Sequence, residues 1–333
     1  MTTLATDPTT SAPPRKHRAK GGRRDVLAVL AMGFLLLLVI FAVFGQQIAP
    51  EANDQSLRER LTPPAWSDGG SWEFPLGTDA LGRDVLERLV VGTRTTLLIG
   101  FVAAAIEVVI GATLGLIAGF RGGRLDSLLM RWADIQMGFP TLLLILLFLL
   151  TFGSNTPVLI LALGVNGWMI FGRLMRSEAR RIRNEPFIQA ARVAGMPDRR
   201  ILVRHVLPQV RSRLVAVYFL EVPRVILAAS GLSFLGLGVS ADQVTWGLMI
   251  GDARSIISVA YWPSFFPGLA IVLTVASLYI FASWFEPRID PIQRRAQQAK
   301  RPKAVTPSSP ASSVSLPPSP DSGPTSQEKG SPT

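Results

Sequence analysis

Residues 187–208 read FIQAARVAGMPDRRILVRHVLP, a polar and basic segment held between long apolar runs. Phe187, Ala190, Ala191 and Ala194 recur at helical spacing and are small after the aromatic at the entrance. Asn184 is placed to cap this helix, and Pro186 is tolerated in a first turn whose amides have no intrahelical partners. Gly195 supplies a C-terminal glycine and Pro197 prevents continuation. A second short helix from Asp198 brings Ile201, Leu202 and His205 near one another before Pro208 ends it. The expectation is a compact helical hairpin whose Ala and Gly positions permit close approach by another surface.

The runs on either side set the fold class. Residues 26–48, 95–120, 128–152, 157–171, 214–239 and 264–285 are long apolar stretches, the fourth the shortest. On the ~20-residue length of a spanning helix they predict about six transmembrane helices. Composition agrees, with 48% hydrophobic and only 17% charged residues in 333 and a mean hydropathy of +0.34, where a soluble domain carries about a quarter charged residues. The expected class is therefore an all-α membrane protein. The first run follows a basic stretch, as a signal peptide would. It exceeds the ~7–15 residues of a signal core, and no small-x-small cleavage site follows, so it is read as an uncleaved span.

Charge placement orients the spans. Residues 1–24 are polar and then basic through Arg15, Lys16, Arg18, Lys20, Arg23 and Arg24, while residues 49–94 are net acidic. Arg121, Arg124 and Arg131 flank the second connection, and eleven arginines from Arg173 to Arg213 crowd the fourth. Basic loops mark the cytoplasmic side, so these loops and both termini are expected there. The layout is a disordered basic tail (1–24), a first span with an external loop (25–94), a core (95–287) containing the loop 176–212, and a disordered tail (288–333) poor in large apolar residues.

Several chemistries are excluded. The chain has no cysteine and only two histidines, His17 and His205, too little for a thiolate metal site or a Ser/His/Asp relay. No G-x-x-x-x-G-K-[ST] occurs, and the glycines at 231–238 lack a lysine and lie in an apolar run, where close helix packing explains them. The segment 187–208 then has three uses open to it: a charged connector, a helix-turn-helix on DNA, or docking to a cytoplasmic partner. Its tethering at both ends and its Ile/Leu/Val/Arg second helix, without Asn or Gln readers, disfavour DNA.

The same residues resemble the inner-membrane permeases of binding-protein-dependent ABC transporters, in particular the second permease of the dipeptide/oligopeptide/nickel group. The family's loop runs E-A-A, three residues, G, then R-H-x-L-P. Gln189-Ala190-Ala191, Gly195 and Arg204-His205-Val206-Leu207-Pro208 follow that form, with Gln189 in place of the usual Glu. Leu76-Gly77-Thr78-Asp79 with Gly82-Arg83-Asp84 resembles the signature before the second span, and Arg121-Gly122-Gly123, Asp126, Met130-Arg131 and Asp134 fit the short cytoplasmic turn. Leu232 to Gly238, Thr245-Trp246-Gly247 and Phe266-Pro267-Gly268 resemble the last external region. Two stretches depart from the family: Ala229-Ser230-Gly231, where an acidic residue is usual, and the segment from Ala282 to Arg288.

The resemblance implies a type I ABC importer permease fold. It also implies a second related permease, two ATPase subunits and an external solute-binding protein as partners. Phe187, Gln189, Ala190, Ala191, Gly195, Arg204, His205, Leu207 and Pro208 would form the ATPase-coupling loop, and Gly77, Thr78, Asp79, Gly82, Arg83 and Asp84 an external signature. ATP would be used by the partner subunits, with no cofactor, catalytic residue, metal or nucleic acid on this chain. The cargo is expected to be a di- or oligopeptide, with nickel or another small solute as the alternative. An ion-coupled secondary transporter and a membrane-tethered DNA-binding regulator are the readings from other classes.

Charges inside the apolar runs cost roughly 2.5–3.5 kcal/mol each at mid-bilayer and should face the bundle or water. Glu221 and Arg224, three apart, can pair on one helix face. Glu107 has no partner nearby in sequence, and two places stay open to it: the translocation path, where it could attract a cationic group, and a packing or lipid-edge position.

Overall fold

The computed structural model describes residues 21–240 and 242–289, and side chains over 25–285 outside position 241. The expected tails lie, beyond their inner edges, outside the described residues. Among the described residues there are ten α-helices and no strand. Five helical stretches are long and apolar enough to cross a membrane, and a bent helix pair makes a sixth if it is one span.

Helix α1 (Gly21–Ile48) begins inside the stretch expected to be tail and presents mostly exposed apolar side chains. Helix α2 (Val85–Arg121) starts ten residues before the expected span at 95. Glu87, Arg88 and Arg94 conceal that start in the sequence. In the fold Arg88 is buried and donates to Asp79 at 2.7 Å, so its charge is compensated from outside the helix. Asp84 caps α2 by accepting from the Leu86 and Glu87 amides at 2.7 and 3.3 Å.

The span expected at 128–152 is instead two helices, α3 (Gly123–Met137) and α4 (Thr141–Phe152), bent by 90° across Gly138-Phe139-Pro140. Pro140 lacks the amide a continuing helix needs. Twelve residues of α4 reach only about 18 Å, short of a ~30 Å hydrocarbon core, so α4 spans only together with α3. Helix α5 (Thr156–Arg183) is not the shortest span but runs 28 residues, because the arginines at its end stay helical. Arg173 pairs with Asp134, and Arg176 and Arg180 with Asp126, fastening α5 to α3.

Helices α6 (Pro186–Val193) and α7 (Asp198–Ile201) form the segment read first. A π turn, Leu202–Val206, joins α7 to α8 (Leu207–Phe234) without interruption. Pro208 therefore does not end a short helix; it falls just after the π turn, and the helix continues through it into α8. Helix α9 (Trp246–Ala253) is short, and α10 (Trp262–Ile289) closes the bundle.

The centre of the bundle is the contact of α2 with α5. A Cβ added at Gly111, Gly115 or Gly119 would lie 2.3 Å from the carbonyl oxygen of Trp168, Gly172 or Arg176 in turn. One glycine per turn thus lets the two backbones touch over successive turns, the small-residue packing that membrane helices rely on in place of hydrophobic drive.

Candidate functional site

Ile188, Ile201 and Val206 are fully buried in a cluster with Leu116 and Phe120 of α2 and Met175, Ala179 and Ile182 of α5. The π turn matters here: its wider winding lets Ile201 and Val206, five residues apart, share the buried face. Arg192 lies over the Phe120 ring at 4.9 Å and pairs with Asp198 at 3.4 Å, closing α6 onto α7. Glu185, not Asn184, is the N-cap residue of α6; Asn184 ends α5. Gly195 has φ +78° and the Met196 amide returns to the Ala191 carbonyl at 3.0 Å, a glycine-terminated helix end.

That anchoring leaves an outer face of Phe187, Gln189, Ala190, Val193, Gly195, Val203, Arg204, Leu207 and Pro208, all exposed, with Val193 90% exposed. Ala191 and His205 are half-buried behind it. Gln189 donates its side-chain amide to the Arg183 carbonyl at 3.2 Å, a bond that a carboxylate could not make. The segment is thus a rigid shelf on the bundle rather than a free-standing hairpin.

Within the bundle, Arg224 of α8 pairs with Glu221 one turn earlier, as their spacing predicts, and also donates to Glu107 of α2 at 2.8 Å. Glu107 is thereby buried in a charge triad, with its side chain 1% exposed. Gly167 of α5 makes the room, since a Cβ there would fall 1.9 Å from the carboxylate. A groove of about 530 Å³ lies between α2 and the α7–α8 segment, lined by Val108, Val109, Ala112, Leu116, Leu202 and Leu214 among others, with Arg121, Asp198 and Arg199 also on its wall.

Two comparisons decide the family. Residues 23–64 match the N-terminal transmembrane domain of oligopeptide transport permease C. Residues 111–291 match the binding-protein-dependent transport system inner membrane component. The chain belongs to that family. This permease is 35% identical over 275 residues to a dipeptide transport system permease of Bacillus subtilis, covering 82% of this chain and 84% of the relative. It is 35% identical over 294 residues to a di/tripeptide transport system permease of Pseudomonas aeruginosa, covering 88% and 97%. A chain of the MetNI methionine ABC transporter, 18% identical, shares the fold with a TM-score of 0.50 over 61% of this permease and 96% of that chain.

At the end of the permease opposite the shelf, the residues 76–84 build a structural knot. Asp79 accepts from the Leu81 and Arg83 amides and from the guanidiniums of Arg83 and Arg88, both at 2.7 Å. Both arginines reach on to Asp252 of α9, at 3.3 and 3.4 Å. Thr78 bonds the Glu59 carbonyl and the Thr62 amide, and its own carbonyl accepts from Trp262 at 2.9 Å. Gly77 and Gly82 have φ of +78° and +75°. Burial holds the Asp84 carboxyl above the ordinary carboxylate range, against the pull of its two amide donors.

The fold therefore gathers the expected residues at three separate levels: shelf, triad and knot. Gly167, Asp252 and the anchor Ile188 were not singled out in the sequence; Ile201 was named only as a neighbour of Leu202 and His205, and Val206 only as the variable position of its motif. The isoleucines were detectable as apolar positions inside a basic segment. Gly167 and Asp252 carry no local signal, because their partners lie far away in the chain.

Proposed function

We propose that this permease is one membrane subunit of an ATP-driven importer of di- or oligopeptides in the bacterial inner membrane. The observation that carries the reading is the shelf. An exposed, partly apolar face of Phe187, Val193, Val203 and Leu207 is fixed to α2 and α5 through fully buried Ile188, Ile201 and Val206. An ATPase seated on such a face would push on two spanning helices and not on a slack loop, and rigid elements are what carry a switch between two arrangements.

The arginine-rich end is the cytoplasmic one, and an even number of spans returns both termini to it. ATP is bound by two separate ATPase subunits, since this chain has no Walker sequence. A second related permease completes the path, and an external solute-binding protein delivers the cargo. The peptide assignment draws on relatives named for dipeptide and di/tripeptide transport.

The test is uptake of a labelled dipeptide into proteoliposomes holding this permease with its second permease, ATPase and binding-protein subunits. ATP-dependent uptake that excess unlabelled peptide competes away and nickel does not is the expected result. Uptake that runs without ATP and collapses with the ion gradient would place the chain among secondary transporters instead.

A further inference from the structure

Where α3 meets the end of α5, positive charge is in excess. A groove of about 680 Å³ opens there, lined on α3 by Arg124, Asp126, Ser127, Leu128 and Arg131 and on α5 by Arg180. Asp126 is the one carboxylate among these lining residues, and it is already shared by Arg176, at 2.9 Å, and Arg180. Arg124 and Arg131 are exposed and have no ion pair among the described residues. Seven apart, they stand two turns from each other on one face of α3, with Ser127 and Leu128 between them.

The depth of the groove follows from α5. Asp126 meets Arg176 and Arg180, Asp134 meets Arg173, and Gln136 donates to Asn166 at 3.2 Å, so α3 runs antiparallel along α5. Counted along α5 from Thr156, the ~30 Å of a hydrocarbon core is used up after ~20 residues, near Arg176. Arg180 and the groove therefore sit at headgroup level. From there α3 descends into the apolar layer with Leu128 and Trp132, four apart, 67% and 64% exposed. An exposed tryptophan at this depth is what membrane interfaces favour.

We propose that this groove binds the phosphate headgroup of an anionic phospholipid of the cytoplasmic leaflet, with an acyl chain lying over Leu128 and Trp132. The leaflet rests on the orientation proposed above; the site itself is independent of the cargo. Two features favour a lipid over a soluble anion or an acidic protein loop. The guanidiniums of Arg124 and Arg131 present the forked donors that phosphate oxygens accept, and basic pockets at the cytoplasmic end of spanning helices are where acidic headgroups bind. The wall between and below those arginines is apolar and exposed at the depth where acyl chains begin. The bound phosphate answers Arg124 and Arg131 and leaves Asp126 to Arg176 and Arg180, holding α3 against the end of α5.

The natural absence of cysteine makes the test clean, because Ser127→Cys, on the groove wall, is then the one thiol of this chain. In the assembled transporter in uncharged detergent, an uncharged polyethylene-glycol maleimide should label that thiol. Phosphatidylglycerol should slow the labelling, and phosphatidylcholine at equal concentration should not. Glycerophosphoglycerol, the same headgroup without chains, should give no protection at that concentration. Adding Arg124→Gln/Arg131→Gln should raise the half-protecting concentration of phosphatidylglycerol about 30-fold, which is ~1 kcal/mol for each arginine near an anionic surface.

Equal protection by phosphatidylcholine leaves the arginines without a role, and no protection by either lipid leaves the groove without its occupant; both overturn the proposal. Protection by glycerophosphoglycerol makes this a site for soluble anions instead. A thiol that never labels means that another subunit covers the groove, and a half-protecting concentration unmoved in the double arginine variant removes the charge recognition; either result is equally fatal. The comparison of lipids uses Ser127→Cys alone, so it stands even if the arginine variant fails to assemble. Orientation is read separately, by whether the thiol labels in inside-out vesicles and not in intact cells, so a wrong leaflet and a missing site give different results.

Discussion

Arg224 on α8 reaches Glu107 on α2 at 2.8 Å, across more than a hundred residues of sequence, while also holding Glu221 on its own helix. Breaking such a pair from one side strands charge in the bundle. Arg224→Met should lower the stability of the detergent-solubilised protein by an amount near the lower end of ~3–5 kcal/mol, because the arginine is partly exposed. The triple variant Glu107→Gln/Glu221→Gln/Arg224→Met should recover most of that loss in a thermal melt. A triple variant weaker than the single one would contradict the pairing.

Gly167 is the complement of that carboxylate. Gly167→Ala places a methyl 1.9 Å from Glu107 Oε1, and both α2 and α5 backbones are already in contact nearby. The expected cost is that of overpacking, about 1–3 kcal/mol, read as a lowered melting temperature. Combining it with Glu107→Ala, which vacates the space, should restore part of the loss.

Gly195 separates strain from bulk on the shelf. It has φ +78° and open space where a Cβ would be. Gly195→Asn, which tolerates the left-handed region, should retain ATP-driven uptake. Gly195→Trp should leave the protein inserted at normal levels but lose ATPase co-purification and uptake. Full coupling in the tryptophan variant would remove this face from the docking surface.

Gln189 tests whether charge matters there. Its amide donates to the Arg183 carbonyl, so Gln189→Glu exchanges one hydrogen bond, worth about 0.5–1.5 kcal/mol, for a charge at an exposed position. Uptake by this variant should stay close to that of the parent, whereas Gly195→Trp abolishes it. A loss as large as that of the tryptophan variant would show that charge at position 189 governs docking.

At the opposite end, Gly82→Ala should be among the more damaging single-methyl changes. Its Cβ would lie 1.8 Å from the Ser56 carbonyl oxygen, on a residue with φ +75°. Reduced insertion, measured by membrane yield, is the expected outcome; unchanged yield and melting temperature would mean that the knot is looser than its contacts indicate.

The apolar runs made the membrane class and the approximate number of spans legible, because the bilayer imposes length and composition together. Gly195 was legible for a local reason: a glycine followed by proline is a helix end wherever it falls. Local patterns failed where partners are distant. The first turns of α2 looked like loop because the partners of Arg88, Asp79 and Asp252, lie outside the helix. The end of α5 looked like loop because Asp126 and Asp134 of α3 neutralise three of its arginines. Gly138 and Pro140 did signal a break, but the apolar run through them dominated the reading. Pro208 signals a stop by local rule, and only the π turn before it shows the helix running on.

Helix α5 carries the shelf at one end and Gly167 partway along, in 28 residues without a break, about 42 Å long. Such a member behaves as a connecting rod. It has no break along its own length, and its seam with α2 at Gly111, Gly115 and Gly119 is too close to slide without clashing. A displacement that reached α5 at the shelf would therefore arrive at Glu107 as tilt, turning a mechanical stroke at the surface into a change in how tightly an ion pair is gripped inside the bundle.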